Sequence, residues 1–188
     1  MAPRIYLAGP DVFLPDPFAR AAAQKRICAG LGLVGVSPLD ELEGEPAAWL
    51  DLPEAHRIAR RNEAHIRSSH AILANITPFR GPSADSGTVY EIGFGRALGL
   101  PVFAYTATIN DYATRIRHMP GSTALADADG LSIEDFDLAD NLMIACAIEE
   151  SGGSIIKFAG APWTSVAAFE RCASSAAAFL LAQAAERK

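Results

Sequence analysis

Disulfide and metal-ligand spacings are missing from this sequence. Its three cysteines, Cys28, Cys146 and Cys172, form no CxxC pair and sit in apolar, helix-like surroundings. An odd number without a framework points to buried thiols in a reducing compartment. The histidines (His56, His65, His70 and His118) lack ligand spacing, and His65 and His70 fall on different faces of any helix. The run Asp127-Ala-Asp-Gly130 starts like a calcium loop, but Ser132 stands where the turn glycine belongs, so a solvated loop is expected. Neither a metal nor a cofactor is expected. Walker, GxSxG and HExxH motifs are absent too, and the first turn, Gly9-Pro-Asp-Val-Phe13, is no GxGxxG: a proline and then an acid would obstruct a pyrophosphate. Lys and Arg form no long run. With a net charge of −6 and a pI near 5.2, nucleic acid and acidic membranes are poor partners. The densest basic stretch, His56-Arg57 to Arg60-Arg61, reads as an exposed helix face. No apolar run approaches ~18 residues, and no signal peptide precedes Arg4, so the expectation is a soluble, cytoplasmic protein.

What is present is core material. Half the residues are hydrophobic, enough for one well-buried domain over 1–188. Short apolar runs at 4–8, 33–37, 71–76 and 102–105 read as strands. Helices are expected over 17–31, 47–67 (with a possible break at Pro53), 86–98, 138–150 and 164–186, the last an extra C-terminal helix. A short strand or extended segment is expected at 154–158, and 106–137 reads as one short helix in a long loop. Strands alternating with helices predict an α/β fold, a doubly wound parallel sheet with flanking helices. Ligands then bind beyond the carboxyl ends of the strands, where 6–13, 38–43 and 75–91 gather.

The stretch Asp85-Ser-Gly-Thr-Val-Tyr-Glu91-Ile-Gly-Phe-Gly95 stands out. Asp85 or Ser86 suits an N-cap, and Val89, Ile92, Gly93 and Ala97 recur at helical spacing. Gly87 and Gly95 lie on the face of Glu91. The bare space they leave can hold a ligand or let the helix approach the sheet, and both readings stand. Carboxylates dominate the expected site edge: Asp11, Asp16, Asp40, Asp85 and Glu91. A carboxylate in a partly dry pocket can act as acid, base or nucleophile. One attacking an anomeric carbon would be the retaining-glycosidase strategy, and Tyr6 could hold such a group by a hydrogen bond. An ordinary surface salt bridge is the plainer alternative for Glu91.

Three segments together resemble the nucleoside 2-deoxyribosyltransferase family: Ile5-Tyr-Leu-Ala-Gly-Pro-Asp-Val-Phe13, then Ala74-Asn-Ile-Thr-Pro-Phe-Arg-Gly-Pro-Ser-Ala-Asp-Ser-Gly-Thr-Val-Tyr-Glu-Ile-Gly-Phe-Gly95, and Asp140-Asn-Leu-Met143. The similarity spans about residues 4 to 145. It implies a flavodoxin-like (Rossmann-like) sheet and transfer of 2-deoxyribose between nucleobases by double displacement. Glu91 would be the nucleophile on C1′, Tyr6 its orienting group, and Asp85 the group that helps proton transfer to the leaving base. Gly9, Phe13, Asn62, Gly87, Asn141 and Met143 would contact substrate. Asn141 and Met143 would do so in a neighbouring subunit, which implies a homo-oligomer, a dimer or higher, with shared sites. The partners implied are a nucleoside and a free nucleobase.

Two departures stand out. Many members carry a second acid where this chain has Asn62, and an amide cannot give up a proton. The chain also runs on from Met143 to Lys188, so a site closed by a terminal carboxylate is not expected. Relatives with the same nucleophile hydrolyse deoxynucleoside monophosphates, so an N-glycoside hydrolase is the alternative enzyme. A carboxylate at Asp85 favours a free 5′-hydroxyl over a phosphate. The non-enzymatic alternative is a nucleoside-sensing module. Salvage and disposal of a modified nucleoside are both open as the biological role.

Overall fold

A computed structural model describes residues 2–161 and 163–186. Five strands form one parallel sheet: β1 (Arg4–Ala8), β2 (Val34–Val36), β3 (Ala71–Asn75), β4 (Val102–Thr106) and β5 (Ile155–Lys157), in the order β2-β1-β3-β4-β5. The order reverses between β1 and β3, and that switch point opens a crevice beyond the strand ends. Helices α1 (Pro17–Gly30) and α6 (Ala167–Glu186) cover one face; α2 (Glu54–Arg67), α3 (Ser86–Ala97) and α5 (Leu142–Glu150) cover the other, and α4 (Tyr112–Arg117) lies in the long loop. The expected doubly wound α/β architecture is present. Among the described residues no helix is long and apolar enough to cross a membrane.

Strand alternation decides what the site contains. Ile5 and Leu7 point into a core with Leu73, Phe103, Tyr105 and Phe169 under α1 and α6. Tyr6 and Ala8 therefore point the other way, into the core under α3, with Ile72, Ala74 and Ile92. Tyr6 is thus delivered to the helix that carries Glu91.

Helix starts follow their caps. Asp16 accepts from Ala19 N and Pro17 opens α1; Asp85 accepts from Thr88 N and opens α3. Helix α5 begins at Leu142, four positions later than the 138 expected, because Asn141 is its N-cap and accepts from Met143 N at 3.0 Å. Pro53 does divide the expected 47–67 helix, leaving a short turn at Ala47–Trp49 before α2. The closing helix starts at Ala167.

The two glycines flanking Glu91 divide the two readings between them. A Cβ on Gly95 would stand 2.2 Å from Ile72 Cδ1, so its bareness lets α3 lie close on the sheet. A Cβ on Gly87 would meet only Asp85 Oδ2, at 3.1 Å, and Gly87 lines the cavity.

Candidate active site

The switch-point crevice holds a cavity of about 630 Å³. The turn after β1 supplies Gly9, Val12 and Phe13 to its wall, the loop after β2 supplies Asp40 and Glu41, and α3 with its cap supplies Asp85, Gly87, Thr88 and Glu91. From α2 come Glu54, Ile58, Arg61 and Asn62, one stripe of helical spacing of which the sequence points only to Asn62 as a site residue. The basic stretch around Arg57 and Arg61 is not a free surface. Both guanidiniums grip Glu45, Arg57 at 2.9 and 3.1 Å and Arg61 at 2.7 and 2.5 Å, tying the acidic loop to α2.

Glu91 is the buried carboxylate of this wall, 9% exposed. Tyr6 Oη donates to its Oε1 at 2.5 Å, and Asn62 Nδ2 approaches the same oxygen at 3.4 Å. Among the described residues no donor reaches Oε2, so the second oxygen keeps its lone pairs. Burial pushes the Glu91 carboxyl up to about 7; the Tyr6 hydrogen bond pulls it down and the neighbouring Asp85 charge adds to the rise. Tyr6, wholly buried, has its phenol pushed up by burial, then by the Glu91 charge and hydrogen bond, and stays a donor. Asp85 spends Oδ2 on Thr88 N (3.0 Å) and Thr88 Oγ1 (3.2 Å), which leaves Oδ1 for the cavity it lines.

The turn carrying Gly9 and Phe13 is locked from behind. Asn75, at the end of β3, donates to Asp11 Oδ2 at 2.8 Å, and Asp11 pairs with buried Arg20 at 3.4 Å. Burial raises the Asp11 carboxyl, with Asn75 and Arg20 opposing. Gly9 has φ +156°, and a Cβ there would lie 2.7 Å from Asn75 Cβ, so only glycine fits. Phe13 stacks on Phe79, with the Arg80 guanidinium over both rings.

Tyr6, Gly9, Phe13, Asn62, Asp85, Gly87 and Glu91 therefore come together in one chain. Asn141 and Met143 do not join them. They border a separate depression of about 530 Å³ with Val89, Gly93 and Ile144, between α3 and α5. Met143 is 72% exposed, and Asn141 caps α5 while its amide donates to Glu134 at 2.8 Å.

The nucleoside 2-deoxyribosyltransferase family model matches residues 5–143, which spans β1, β3, α3 and the start of α5. The chain belongs to that family. A solved 2-deoxyribosyltransferase from Leishmania mexicana superposes with a TM-score of 0.64 at 28% identity, covering 91% of this chain and 97% of its own. A conserved protein from Enterococcus faecalis shares the fold at 19% identity, with a TM-score of 0.56 and 92% of this chain covered against 98% of its own. An uncharacterised protein of Schizosaccharomyces pombe is 28% identical over 169 residues, 81% of this chain and 80% of its own length. Members of the family act on nucleosides and nucleobases, and family and fold together support deoxyribosyl transfer.

Proposed function

We propose that this deoxyribosyltransferase works by double displacement through a 2-deoxyribosyl ester on Glu91, with Tyr6 orienting the nucleophile and Asp85 serving the departing base. The observation that carries the reading is the Glu91 carboxylate itself: buried, one oxygen fixed by Tyr6 at 2.5 Å, the other without a donor among the described residues. In the first half-reaction the C1′–N bond breaks with its electron pair going to the base, and a Glu91 oxygen bonds C1′. In the second, a free base attacks C1′ and the carboxylate is released, so the two inversions give retention. Asn62 can hydrogen-bond a base or Glu91 but cannot give up a proton, so Asp85 carries proton transfer. Gly9, Phe13 and Gly87 bound the substrate.

The wall also supports a nucleoside over a nucleotide. Among the described lining residues Glu41, Glu54, Asp85 and Glu91 stand beside a cation, Arg61, already taken by Glu45, while Asp40 is paired with Lys25 behind the wall. A 5′-phosphate entering such a wall is repelled, whereas a 5′-hydroxyl donates to it. Asn141 and Met143, turned away from their own cavity, serve the site of another copy in a homo-oligomer.

Acid-quenched digests of the protein incubated with a 2′-deoxynucleoside test the ester directly. The account expects a 2-deoxyribosyl adduct on the peptide containing Glu91, lost in Glu91→Ala. An adduct elsewhere, or base exchange without any adduct, contradicts it.

A further inference from the structure

Asp140 is fully buried and lies outside the cavity wall, yet it makes four hydrogen bonds. Its Oδ1 accepts from Ser83 Oγ at 2.5 Å and Asn141 N at 2.8 Å; Oδ2 accepts from Ala84 N at 3.0 Å and Arg115 Nη2 at 3.2 Å. Arg115, its side chain 9% exposed, also donates through Nε to Pro82 O at 2.6 Å. Its Nη1 donates to Asn110 O at 2.9 Å and Ala139 O at 2.8 Å. One buried ion pair thus grips three consecutive residues, Pro82, Ser83 and Ala84, and the next residue is Asp85. A buried ion pair contributes little net stability, because desolvation offsets most of the attraction. What this pair does supply is side-chain anchoring at three consecutive loop positions, added to the Phe79 N–Ser83 O hydrogen bond at 3.0 Å and the packing of Ala84 on the core.

We propose that Asp140, itself held by Arg115, is the positioning residue for Asp85, setting where the Asp85 carboxyl stands over the departing base. The inference rests on the deoxyribosyl-transfer reading above. It acts on one term of that chemistry. As the C1′–N bond breaks, a neutral base accepts the electron pair and needs a proton, which reaches it from solvent through the Asp85 carboxylate. A donor whose ring nitrogen is already methylated carries a positive charge and departs as a neutral base without any proton.

The test compares a 2′-deoxynucleoside that the wild-type protein accepts with its ring-N-methylated cationic form, corrected for spontaneous cleavage. For Asp140→Asn, kcat with the neutral donor falls by about tenfold or more while KM stays near wild type, and the cationic donor loses less than about threefold. Asp85→Asn shows the same selectivity, and the double variant falls no further than Asp85→Asn alone. Ser83→Ala, which keeps the ion pair and removes one contact, gives the same selectivity at smaller size. It decides the matter if Asp140→Asn does not fold. Equal loss on both donors in an otherwise active enzyme, or additive losses in the double variant, overturns the role of Asp140 while leaving the transfer reading intact. A wild-type protein that transfers from neither donor overturns both.

Discussion

With burial raising its carboxyl to about 7, Glu91 changes charge within the working pH range, and only the carboxylate can attack C1′. The expected kcat/KM on a neutral nucleoside therefore rises with pH up to about 7 on this limb. Tyr6→Phe removes a contact that lowers the Glu91 pKa, so the limb moves to higher pH, and kcat falls by roughly tenfold to a hundredfold. A wild-type pH–rate profile in Tyr6→Phe removes Tyr6 from the mechanism. Stability carries the same signature with the opposite consequence. A carboxyl whose folded pKa exceeds its unfolded value near 4.5 supports folding below that value, and the support is lost as pH rises through about 7. Glu91→Gln should thus match wild-type stability near pH 4 and exceed it at pH 8 by up to about 3 kcal/mol in denaturant titrations. Equal stability at both pH values contradicts the burial argument. The residues alone left the pair Tyr6 and Glu91 as one possibility among several, and the family resemblance singled it out. Period-two alternation in β1 explains why they meet, but nothing in the sequence alone says which helix covers that face.

Helix α3 carries two glycines with separate duties, and substitution separates them. Gly95→Ala places a methyl 2.2 Å from Ile72 Cδ1 in the core and should destabilise the fold by about 1–3 kcal/mol, with activity per folded molecule retained. Gly87→Ala should leave melting unchanged or slightly raised, since alanine suits a helix, but should lower kcat/KM by about tenfold by narrowing the cavity. Thermal melts paired with kinetics check both, and a stability loss at Gly87 without a kinetic one reverses the assignment. Sequence spacing placed both glycines beside Glu91 and left their duties open, because the sheet's distance from the helix is a property of packing. Caps were legible in the same way. Asp85 reads directly as an N-cap, whereas the start of α5 depends on the Asn141 and Glu134 contacts, which join residues that local periodicity does not link.

Across the whole molecule the parallel, doubly wound sheet followed from alternating strands and helices, and so did the expectation that ligands gather beyond the strand ends, whereas the strand order β2-β1-β3-β4-β5 is set by packing. The long loop before α5 was legible as one short helix in irregular chain, which α4 bears out, but its path was not. Its order comes from long-range contacts such as the grip of Arg115 on Pro82 and Asp140, which no local pattern announces. Assembly belongs to this scale too. Asn141 and exposed Met143 sit across α3 from the cavity, which suits service to a neighbouring copy. Inactive Glu91→Ala and Asn141→Ala proteins, mixed under verified subunit exchange, should regain up to about a quarter of wild-type activity in a randomly mixed dimer, where half the molecules hold one intact site. No recovery means that each chain builds its site alone. The central claim, deoxyribosyl transfer from one base to another, is met most directly by chromatography of the purified protein with a 2′-deoxynucleoside, with and without a second free base. The account predicts a new deoxynucleoside that forms only when the second base is present and disappears in Glu91→Ala. Free base released at the same rate with or without the acceptor, and no new nucleoside, would contradict it.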